Sequence, residues 1–577
     1  MSVTIENLLL HERSGHLFSL TEQDFKGHVT MESRKKLLGY IYKITVELGS
    51  EDVVFFQAIN MIDICLKYAE IKEEKELNLL GLACLFIASK KCDVSIAQAH
   101  ELCYQCNGEF GTSDIIDTEI DIVKLMGFNV EFPNVAEYIR CISGTAVDNK
   151  ATILARMLCI HYYYSNVDVL LPSVIATASY LIASSFFGDS LLKNPFKIPL
   201  SVVYGACESI SKSFPARGGY EDGMDHITDK EEKCLGDFKS ADFVLYVGKF
   251  KETCFVWNDS LDHSLDIEHK VSHYSKFEPK KVYPTRKDFR KIQRLGGGSY
   301  GDVHKVENKE SGATYALKFN ELEEDDSIRV SFLREVSILR NLQHKNIVKM
   351  IDVLENAKGF ILELMDSDLK FFSQTKRFAL KSFELQEKIT HDLLCAVDYI
   401  HSQGVINRDI KPQNILVRGK WDHQNPEELE VKLCDFGISR GIGLLPTEKP
   451  YTTHVCTLWY RPPELLLGSK EYNCKIDSWS MACTLYEVFM NEVMFPGDYE
   501  IDQIRCIFLA LGKPKNDTWS GVEQLPGYKD SWTDWVEKDT LFDIPLSKKV
   551  IEVIRKGLTL NPTKRPCVSE LFKELIM

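Results

Sequence analysis

The stretch Asn407-Arg408-Asp409-Ile410-Lys411-Pro412-Gln413-Asn414 decides how the C-terminal half of this 577-residue chain is interpreted. It supplies a carboxylate, a lysine two positions later and an amide five positions after the carboxylate. A second acid follows in Asp435-Phe436-Gly437. Carboxylate and amide oxygens are ligands for Mg²⁺, and a carboxylate can orient an attacking hydroxyl. The two segments therefore carry the side chains that a phosphoryl-transfer site needs.

A glycine-rich stretch lies upstream, between two predicted strands. Gly296, Gly298 and Gly301 form a G-x-G-x-x-G pattern, and glycine lets the backbone approach phosphates without interference from a Cβ atom. In a dinucleotide-binding fold the same pattern joins a strand to a helix, so its position between strands disfavours that fold. Lys318 lies on the third predicted strand, where it can reach phosphates, and Glu335 lies on a predicted helix where it can pair with Lys318.

The hydrophobic pattern predicts helices from about residue 30 to 215. Four apolar residues repeat on one face of a predicted helix, namely Phe55, Ile59, Ile62 and Leu66. The run 79–90 is apolar all round, which is typical of a helix surrounded by other helices. The segment Leu85-Phe86-Ile87-Ala88-Ser89 is echoed by Tyr180-Leu181-Ile182-Ala183-Ser184, at a spacing too long for a solenoid repeat. We therefore predict two similar helical bundles in tandem.

From about residue 286 the pattern changes to short strands followed by helices. Strand-type runs at 289–295, 302–307 and 314–319 are separated by turns that contain glycine, and a helix-rich region follows. A small sheet-bearing lobe before a larger helical lobe is an α+β arrangement, so the chain as a whole is predicted to be multidomain. Residues 216–285 begin with a turn-rich, polar stretch and predict a linker with some structure of its own.

Composition limits the class of protein. The net charge of −15 argues against a general nucleic-acid binder, whose surface would be basic, so we expect no direct nucleic-acid partner. No window approaches ~20 consecutive apolar residues and no secretory signal is visible, so we expect no membrane span. The 17 cysteines lie scattered in apolar stretches, as reduced thiols do, which predicts an intracellular protein of the nucleus, the cytoplasm or both.

The C-terminal half resembles the eukaryotic protein kinases, and three segments are similar to the cyclin-dependent branch. Residues 451–464, Tyr-Thr-Thr-His-Val-Cys-Thr-Leu-Trp-Tyr-Arg-Pro-Pro-Glu, resemble its activation segment. Phe495-Pro496-Gly497-Asp498-Tyr499-Glu500-Ile501-Asp502-Gln503 is similar to a hallmark of its large lobe. Ser331-Phe332-Leu333-Arg334-Glu335 takes the place of its PSTAIRE helix. The resemblance covers nearly all of 286–577 and implies a Ser/Thr protein kinase domain that uses ATP and Mg²⁺.

The resemblance implies roles for individual residues. Asp409 would orient the substrate hydroxyl, and Lys411 would steady the transferred phosphate. The residues that would bind ATP and Mg²⁺ are Gly296, Gly298, Gly301, Val303, Ala316, Lys318 with its partner Glu335, the hinge Glu363, Leu364 and Met365, Leu416 beneath the base, and the metal ligands Asn414 and Asp435. The regulatory residues would be Thr452, phosphorylated by an activating kinase, the arginines Arg334, Arg408 and Arg440 that clasp its phosphate, and the inhibitory sites Ser299 and Tyr300.

Three residues depart from the family pattern. Asn407 replaces the usual histidine before Arg-Asp, Pro462 replaces the alanine of Ala-Pro-Glu, and Ala482 replaces a glycine. None of these changes removes a reacting group, so we expect at most a modest loss of activity. A pseudokinase scaffold whose N-terminal half recruits partners is the alternative function, and an assembly factor of the transcription type is another. The intact Lys318 and Asp409 favour the enzyme.

The helical half resembles the paired boxes of the cyclins. Arg34 and Asp63 match the buried ion pair of the first box. Lys90 and Glu119 match the two residues that grip the kinase beside its PSTAIRE helix, and a pair of solvated surface charges is the alternative interpretation. We therefore place the first cyclin box at 30–130, the second at 131–215, the linker at 216–285 and the kinase domain at 286–577.

The fusion of the two halves predicts activation in cis, in which the intramolecular cyclin domain presses on the helix of Glu335 and completes the ATP site. A linker of about 70 residues would span ~45–50 Å as a coil. Such a tether would raise the local activator concentration toward ~1 mM. Because Val455, Cys456 and Arg461 match the segment that shapes a proline pocket in the family, we expect protein substrates with Ser/Thr-Pro sites.

Overall fold

In the computed structural model, helices come first along the chain, and a five-stranded sheet then precedes a second set of helices. This order agrees with the multidomain architecture that the hydrophobic pattern predicts. The structure describes residues 25, 29–50, 52–92, 98–106, 108–130, 134–143, 149–165, 172–186, 203, 206, 207, 210, 282–298, 301–319, 327–419, 428–441, 457–469, 472–529, 531–532 and 543–576.

The chain divides into two units, each with its own packing. The first comprises Met1–Val282, Leu322–Leu333 and Gly443–Lys449, and the second comprises Tyr283–Glu321, Arg334–Ile442 and Pro450–Met577. A single helix, Val330–Asn341, therefore begins in the first unit and ends in the second.

The described part of the first unit is helical. Its helices are α1 Met31–Glu47, α2 Asp52–Tyr68, α3 Glu74–Cys92, α4 Ala99–Gln105, α5 Thr112–Leu125, α6 Val135–Ser143, α7 Lys150–Ser165 and α8 Pro172–Phe186. Helix α1 begins with a capping box. The Thr30 side chain accepts from the Ser33 N–H at 3.1 Å, and the Ser33 hydroxyl accepts from the Thr30 N–H at 2.8 Å.

Helix α2 lies at the centre of the first unit. The residues predicted to share one face, Phe55, Ile59, Ile62 and Leu66, are buried, but so are most residues on its other faces. Helices α1, α3, α5 and α6 all pack against it, which explains why burial extends around the helix. Helix α3 is buried throughout 80–90, as its all-round apolar run predicted.

A buried ion pair joins α1 to α2. Arg34 Nε and Nη2 donate to the two carboxylate oxygens of Asp63, each at 2.8 Å. Arg34 Nη1 donates to the carbonyl oxygen of Tyr163 on α7 at 3.1 Å. The planar fork of the guanidinium suits this bidentate arrangement. The pair that the sequence singled out therefore connects three helices, and Arg34 is 1% exposed.

An antiparallel sheet opens the second unit. Its strands are β1 Phe289–Gly298, β2 Gly301–Asn308, β3 Thr314–Phe319, β4 Met350–Val353 and β5 Gly359–Glu363, in the order β1-β2-β3-β5-β4. The helix Val330–Asn341, here α9, lies between β3 and β4 in the chain. Strand β3 pairs with β2 and β5, which places Lys318 opposite Val303 and Phe360.

The rest of the second unit is mainly helical. Its elements are β6 Ser367–Asp368, α10 Leu369–Thr375, α11 Phe383–Ser402, β7 Val405–Ile406, β8 Ile415–Arg418, β9 Glu430–Leu433, β10 Arg440–Gly441, α12 Pro463–Leu466, α13 Lys475–Met490, α14 Glu500–Leu511, α15 Lys548–Gly557 and α16 Val568–Ile576. Arg565 donates to Glu464 at 2.7 and 2.9 Å, and both side chains are buried. This ion pair fixes the start of α12 to the segment before α16.

The structure accommodates two of the three departures from the family pattern. Ala482 is fully buried on α13, and a Cβ atom at Gly557 would come within 2.7 Å of its methyl group. A glycine on α15 therefore makes room for the extra methyl of α13. Pro462 caps the N-terminus of α12 with φ −72° and ψ 156°, a conformation that proline adopts without strain.

The predicted linker 216–285 lies outside the described residues except for 282–285. The limits proposed for the two cyclin boxes and the linker stay predictions. Among the described residues, no helix is both long enough and apolar enough to cross a membrane.

Candidate active site

Lys318, Glu335 and Asp435 meet in the second unit. Lys318 Nζ donates to Glu335 Oε1 at 2.9 Å and Oε2 at 2.8 Å, and it lies 3.3 Å from Asp435 Oδ1. The side chains of Lys318 and Glu335 are 10% and 4% exposed. Strand β3, helix α9 and the segment after β9 each supply one of the three charges. The cluster therefore forms only when these three elements pack together.

Burial governs the electrostatics of this cluster. It raises the pKa of Glu335 to about 7, because the Lys318 ammonium offsets only part of the cost of burying a carboxylate. Burial also acts to lower the pKa of Lys318, but the carboxylates of Glu335 and Asp435 outweigh it and raise that pKa. The lysine therefore stays charged near neutral pH, and the proton of Glu335 decides whether the pair is ionic.

Asp409 lies at the centre of a second cluster and is 6% exposed. Its Oδ2 accepts from Lys411 Nζ at 2.7 Å and from Asn414 Nδ2 at 2.9 Å. Its Oδ1 accepts from the hydroxyl of Thr457 at 3.0 Å. Thr457 lies within the predicted activation segment 451–464, and this place in the segment was the only signal in the sequence that could have indicated a role for it.

A buried aspartate positions the backbone before Asp409. Arg408 has a φ of 68°, in the left-handed region, where holding a non-glycine residue costs about 1–3 kcal/mol. The carboxylate of Asp477 accepts from the N–H groups of Asn407 at 2.8 Å and Arg408 at 2.9 Å, and lies 2.8 Å from His401 Nε2. No role was predicted for Asp477 from the sequence.

Asn407, the third departure, joins the segment of Asp409 to the segment of Asp435. Its Oδ1 accepts from the Asp409 N–H at 3.1 Å, and its Nδ2 donates to the carbonyl oxygen of Asp435 at 3.4 Å. The residue is fully buried. The amide therefore keeps a polar link between Asp409 and Asp435 where the family has an imidazole.

Two of the three predicted phosphate-clasping arginines bond to the segment after Asp435. Arg334 Nη1 donates to the carbonyl oxygen of Gly437 at 3.2 Å, and Arg408 Nε donates to that of Ile438 at 2.7 Å. The structure thus brings these two arginines to neighbouring carbonyl groups. Arg440 lies on β10. Three predicted phosphorylation sites, Thr452, Ser299 and Tyr300, lie outside the described residues.

The predicted hinge continues from β5. The Glu363 carboxylate accepts from Lys432 Nζ at 2.7 Å and from the Lys349 N–H at 2.8 Å. The carbonyl oxygen of Leu364 accepts from Arg418 at 3.1 Å. Met365 is 8% exposed, and Leu416 lies on β8. The contacts of Glu363 and Leu364 anchor the start of the connection between β5 and β6.

The predicted phosphate-binding glycines lie in the β1–β2 hairpin. Gly296 and Gly298 end β1, and Gly298 pairs with Gly301 at the start of β2. Gly301 has a φ of 121°, and a Cβ atom there would lie 2.0 Å from the carbonyl oxygen of Phe319. Only glycine fits this approach of β2 to the end of β3. On β3, Ala316 pairs with Leu362 of β5.

The oxygen ligands and the lysine of this site fit a nucleoside triphosphate with Mg²⁺. Asn414 Nδ2 donates to the Asp409 carbonyl and carboxylate oxygens, at 2.9 Å each, so its amide oxygen is the atom that can face a cation. Asp435 adds carboxylate oxygens beside the charged Lys318. Hard oxygen ligands next to a lysine suit Mg²⁺ and phosphate oxygens.

A further predicted pair lies in the first unit. Lys90 on α3 donates to Glu119 on α5 at 2.9 Å, and the side chains are 3% and 0% exposed. Lys90 Nζ also donates to the carbonyl oxygen of Ile328 at 2.8 Å, and Glu119 Oε2 accepts from the Ile328 N–H at 3.3 Å. The interpretation as solvated surface charges is therefore wrong. Ile328 lies two residues before α9, the helix that carries Glu335.

Comparison with known proteins places a family on each half of the chain. The family described as "Protein kinase domain" matches residues 289–576, and the family described as "Cyclin, N-terminal domain" matches residues 6–131. Cyclin-dependent kinase 1 of Encephalitozoon cuniculi (strain GB-M1) is 39% identical over 284 residues. This alignment covers 48% of the present chain and 92% of the relative.

Proposed function

Because the chain belongs to the cyclin-dependent Ser/Thr protein kinases and also carries a cyclin N-terminal domain, we propose that its cyclin half activates its kinase half in cis. In this scheme the activator is part of the enzyme, and no separate cyclin is needed. Helix α9 is the element on which activation acts, because it carries the glutamate that aligns Lys318.

The contacts to Ile328 carry this proposal. Lys90 and Glu119 bind both backbone groups of Ile328, and they do so with charged side chains that are buried. Hydrogen bonds that involve a charged group are worth roughly 1.5–3 kcal/mol each. An activator that makes such bonds only when α9 is correctly placed shifts the population toward the active orientation.

Each of the site residues in the kinase half has its own role in phosphate transfer. When bound, Mg²⁺ would neutralise charge on the phosphates of ATP. Asp409 is placed to orient the substrate hydroxyl and to take its proton. Lys411 lies between Asp409 and Thr457, at 2.7 and 3.1 Å, where its charge can steady the transferred phosphate. Glu335 keeps Lys318 aligned for the remaining phosphates.

We further propose that the substrates carry Ser/Thr-Pro sites. The support is the similarity of 451–464 to the family's activation segment. Within it, Arg461 is 6% exposed and donates to Glu500 at 2.6 Å, which holds the segment against α14. The other two residues of the predicted proline pocket, Val455 and Cys456, lie outside the described residues.

Radiolabelled phosphate transfer by the purified full-length protein tests both proposals. Without any added cyclin, the protein should phosphorylate a peptide that contains Ser-Pro followed by a basic residue. A matched peptide with alanine in place of proline should be phosphorylated at least about tenfold more slowly, because a shaped pocket for one side chain discriminates by roughly 1–3 kcal/mol. Activity that appears only with an added cyclin would refute activation in cis, and equal rates on both peptides would refute the proline preference.

Activity should fall as the pH drops through about 7. Protonation of Glu335 removes the negative charge that holds Lys318, so the ionic pair is populated above that pH and lost below it. The measurement is kcat/KM for ATP between about pH 5.5 and 8.5. Glu335→Gln should show lower activity overall and no ionisation near neutrality. If kcat/KM for ATP fell toward acidic pH in Glu335→Gln just as it does in the wild type, the ionisation would belong to another group.

Replacing Asn407 by alanine should lower kcat by about tenfold and leave KM for ATP nearly unchanged, because two hydrogen bonds of ~0.5–1.5 kcal/mol each are lost at Asp409 and Asp435. Steady-state kinetics on the Ser-Pro peptide measures the effect. Asn407→His should retain most of the activity, and Asn356→Ala, in the exposed β4–β5 turn, is the control. A wild-type kcat in Asn407→Ala would show that the amide does not position Asp409.

A further inference from the structure

A groove of about 770 Å³ lies on the helical lobe of the second unit. It is lined by residues of β6, α10, the segment after α10, β8 and the segment just before β9. Val417 of β8 and Leu429, just before β9, are among them. The residues that line it include neither Leu416, the residue predicted beneath the adenine, nor the predicted hinge residues 363–365. The groove therefore lies beside the predicted nucleotide site and is not part of it.

Two phenylalanine side chains that line this groove are unusually exposed. Phe371 is 57% exposed and Phe378 is 72% exposed. Phe372, which also lines the groove, is only 7% exposed. Large apolar side chains of soluble proteins are mostly buried, and aromatic residues are enriched where proteins bind one another. Two exposed rings at a concave site therefore indicate a surface that another molecule covers.

The same segment is basic although the protein is acidic. The chain has a net charge of −15, but residues 370–381 contain four basic residues and no acid. Lys370 forms an ion pair with Glu487. Lys381 Nζ lies 5.7 Å from the centroid of the Phe378 ring. Lys376, which lines the groove, and its neighbour Arg377 are exposed and make no ion pair among the described residues.

Two other charged residues line the groove. The charge of Arg418 is met by carboxylates, because Arg418 donates to Glu430 at 2.6 Å and lies 3.1 Å from Glu363. Asp366 is exposed and accepts from the neutral Gly419 N–H at 2.9 Å, so it keeps its negative charge. Lys376 and Arg377 outnumber this one acid, so the charge beside the aromatic cavity is net positive. The complementary ligand carries carboxylates around a bulky apolar side chain.

We propose that this groove docks an acidic segment of a protein partner, with an apolar side chain of that segment between Phe371 and Phe378. Carboxylates on either side of the apolar residue would meet Lys376 and Arg377. The volume lies within the range of pockets that take one ligand or a few side chains, ~300–1,000 Å³. Docking there would bring proteins to the kinase without contributing any group to phosphate transfer.

Fluorescence anisotropy with a labelled peptide tests the docking directly. The probe is fluorescein-Glu-Asp-Glu-Leu-Phe-Asp-Glu-Leu, titrated with the full-length chain carrying Asp409→Asn, so that catalysis plays no part. We expect saturable binding that weakens at higher salt. Phe378→Ala should weaken binding tenfold or more, and so should Lys376→Glu combined with Arg377→Glu. Phe383→Ala, 51% exposed but outside the groove, is the matched control and should bind normally.

Several results would overturn the proposal. These are absence of binding, equal losses in Phe378→Ala and Phe383→Ala, or equal binding of a peptide in which lysines replace the acids. Binding that appears only after residues 420–427 are replaced by a Gly-Ser linker would show that the chain itself covers the groove, and would also overturn it. The variants change exposed side chains, so their melting temperatures should match the parent protein. The assay uses no kinase activity, so its outcome is independent of activation in cis.

Discussion

Replacing Asp409 by asparagine should reduce phosphate transfer by about 10²- to 10⁴-fold, the range that a positioned general base contributes. The carboxylate accepts hydrogen bonds from Lys411, Asn414 and Thr457. An amide in its place would turn an N–H group toward one of these donors and could not take a proton. The substitution therefore removes both the charge and the geometry that the attacking hydroxyl needs.

Radiolabelled transfer to the Ser-Pro peptide measures the loss caused by Asp409→Asn. Thermal shift with ATP and Mg²⁺ should show that the variant still binds nucleotide, because Lys318, Glu335 and Asp435 are untouched. Asp498→Asn, at an exposed position before α14, is the matched control and should transfer phosphate normally. Wild-type transfer by Asp409→Asn would refute the assignment of Asp409.

Replacing Lys90 and Glu119 together by leucine should reduce activity by about 10²- to 10⁴-fold while the protein stays folded. The double change removes both charge-assisted hydrogen bonds to Ile328, worth roughly 1.5–3 kcal/mol each, and 1.4 kcal/mol corresponds to tenfold. Exchange of a buried ion pair for apolar residues of similar size is often neutral or stabilising. Activity should therefore fall without a matching fall in melting temperature.

Single substitutions separate activation from stability. Lys90→Leu alone leaves the Glu119 carboxylate buried without its cation, which should destabilise the helical unit by about 3–5 kcal/mol. The matched control is a second ion pair of the first unit, Arg34 with the partly buried Asp63, changed together as Arg34→Leu and Asp63→Leu. This pair joins helices of the first unit and does not bond to Ile328. Calorimetry and peptide phosphorylation should be measured on all variants. If the Lys90/Glu119 double variant kept wild-type activity, the contacts to Ile328 would not activate the kinase.

Much of the fold could be predicted because hydrophobic periodicity is a local property. Strand β3 covers Thr314–Phe319, the run predicted for it, and the predicted strand 289–295 is extended to Gly298. The prediction for α2 was incomplete. Its spacing indicated one apolar face, but four neighbouring helices bury it on most sides, and no local pattern shows how many neighbours a helix has.

The candidate site, like the fold, was only partly predictable from the sequence. The pairing of Lys318 with Glu335 was expected from the family resemblance, and the structure places them 2.8 Å apart. The roles of the other predicted site residues stay predictions until the variants are measured. Thr457 and Asp477 received no positioning role, because their partners lie 48 and 70 residues away along the chain.

By itself the sequence determined the two-part architecture, the kinase family of the C-terminal half and the presence of a cyclin-type domain in the same chain, because these depend on residue types at short, fixed spacings. Only the tertiary structure decided that Lys90 and Glu119 are buried and that they bind Ile328, 238 residues after Lys90. It alone showed that Asn407 joins Asp409 to Asp435. Both findings involve backbone N–H and C=O groups, which nearly every residue carries, so residue identity cannot indicate which of them the folded chain will use.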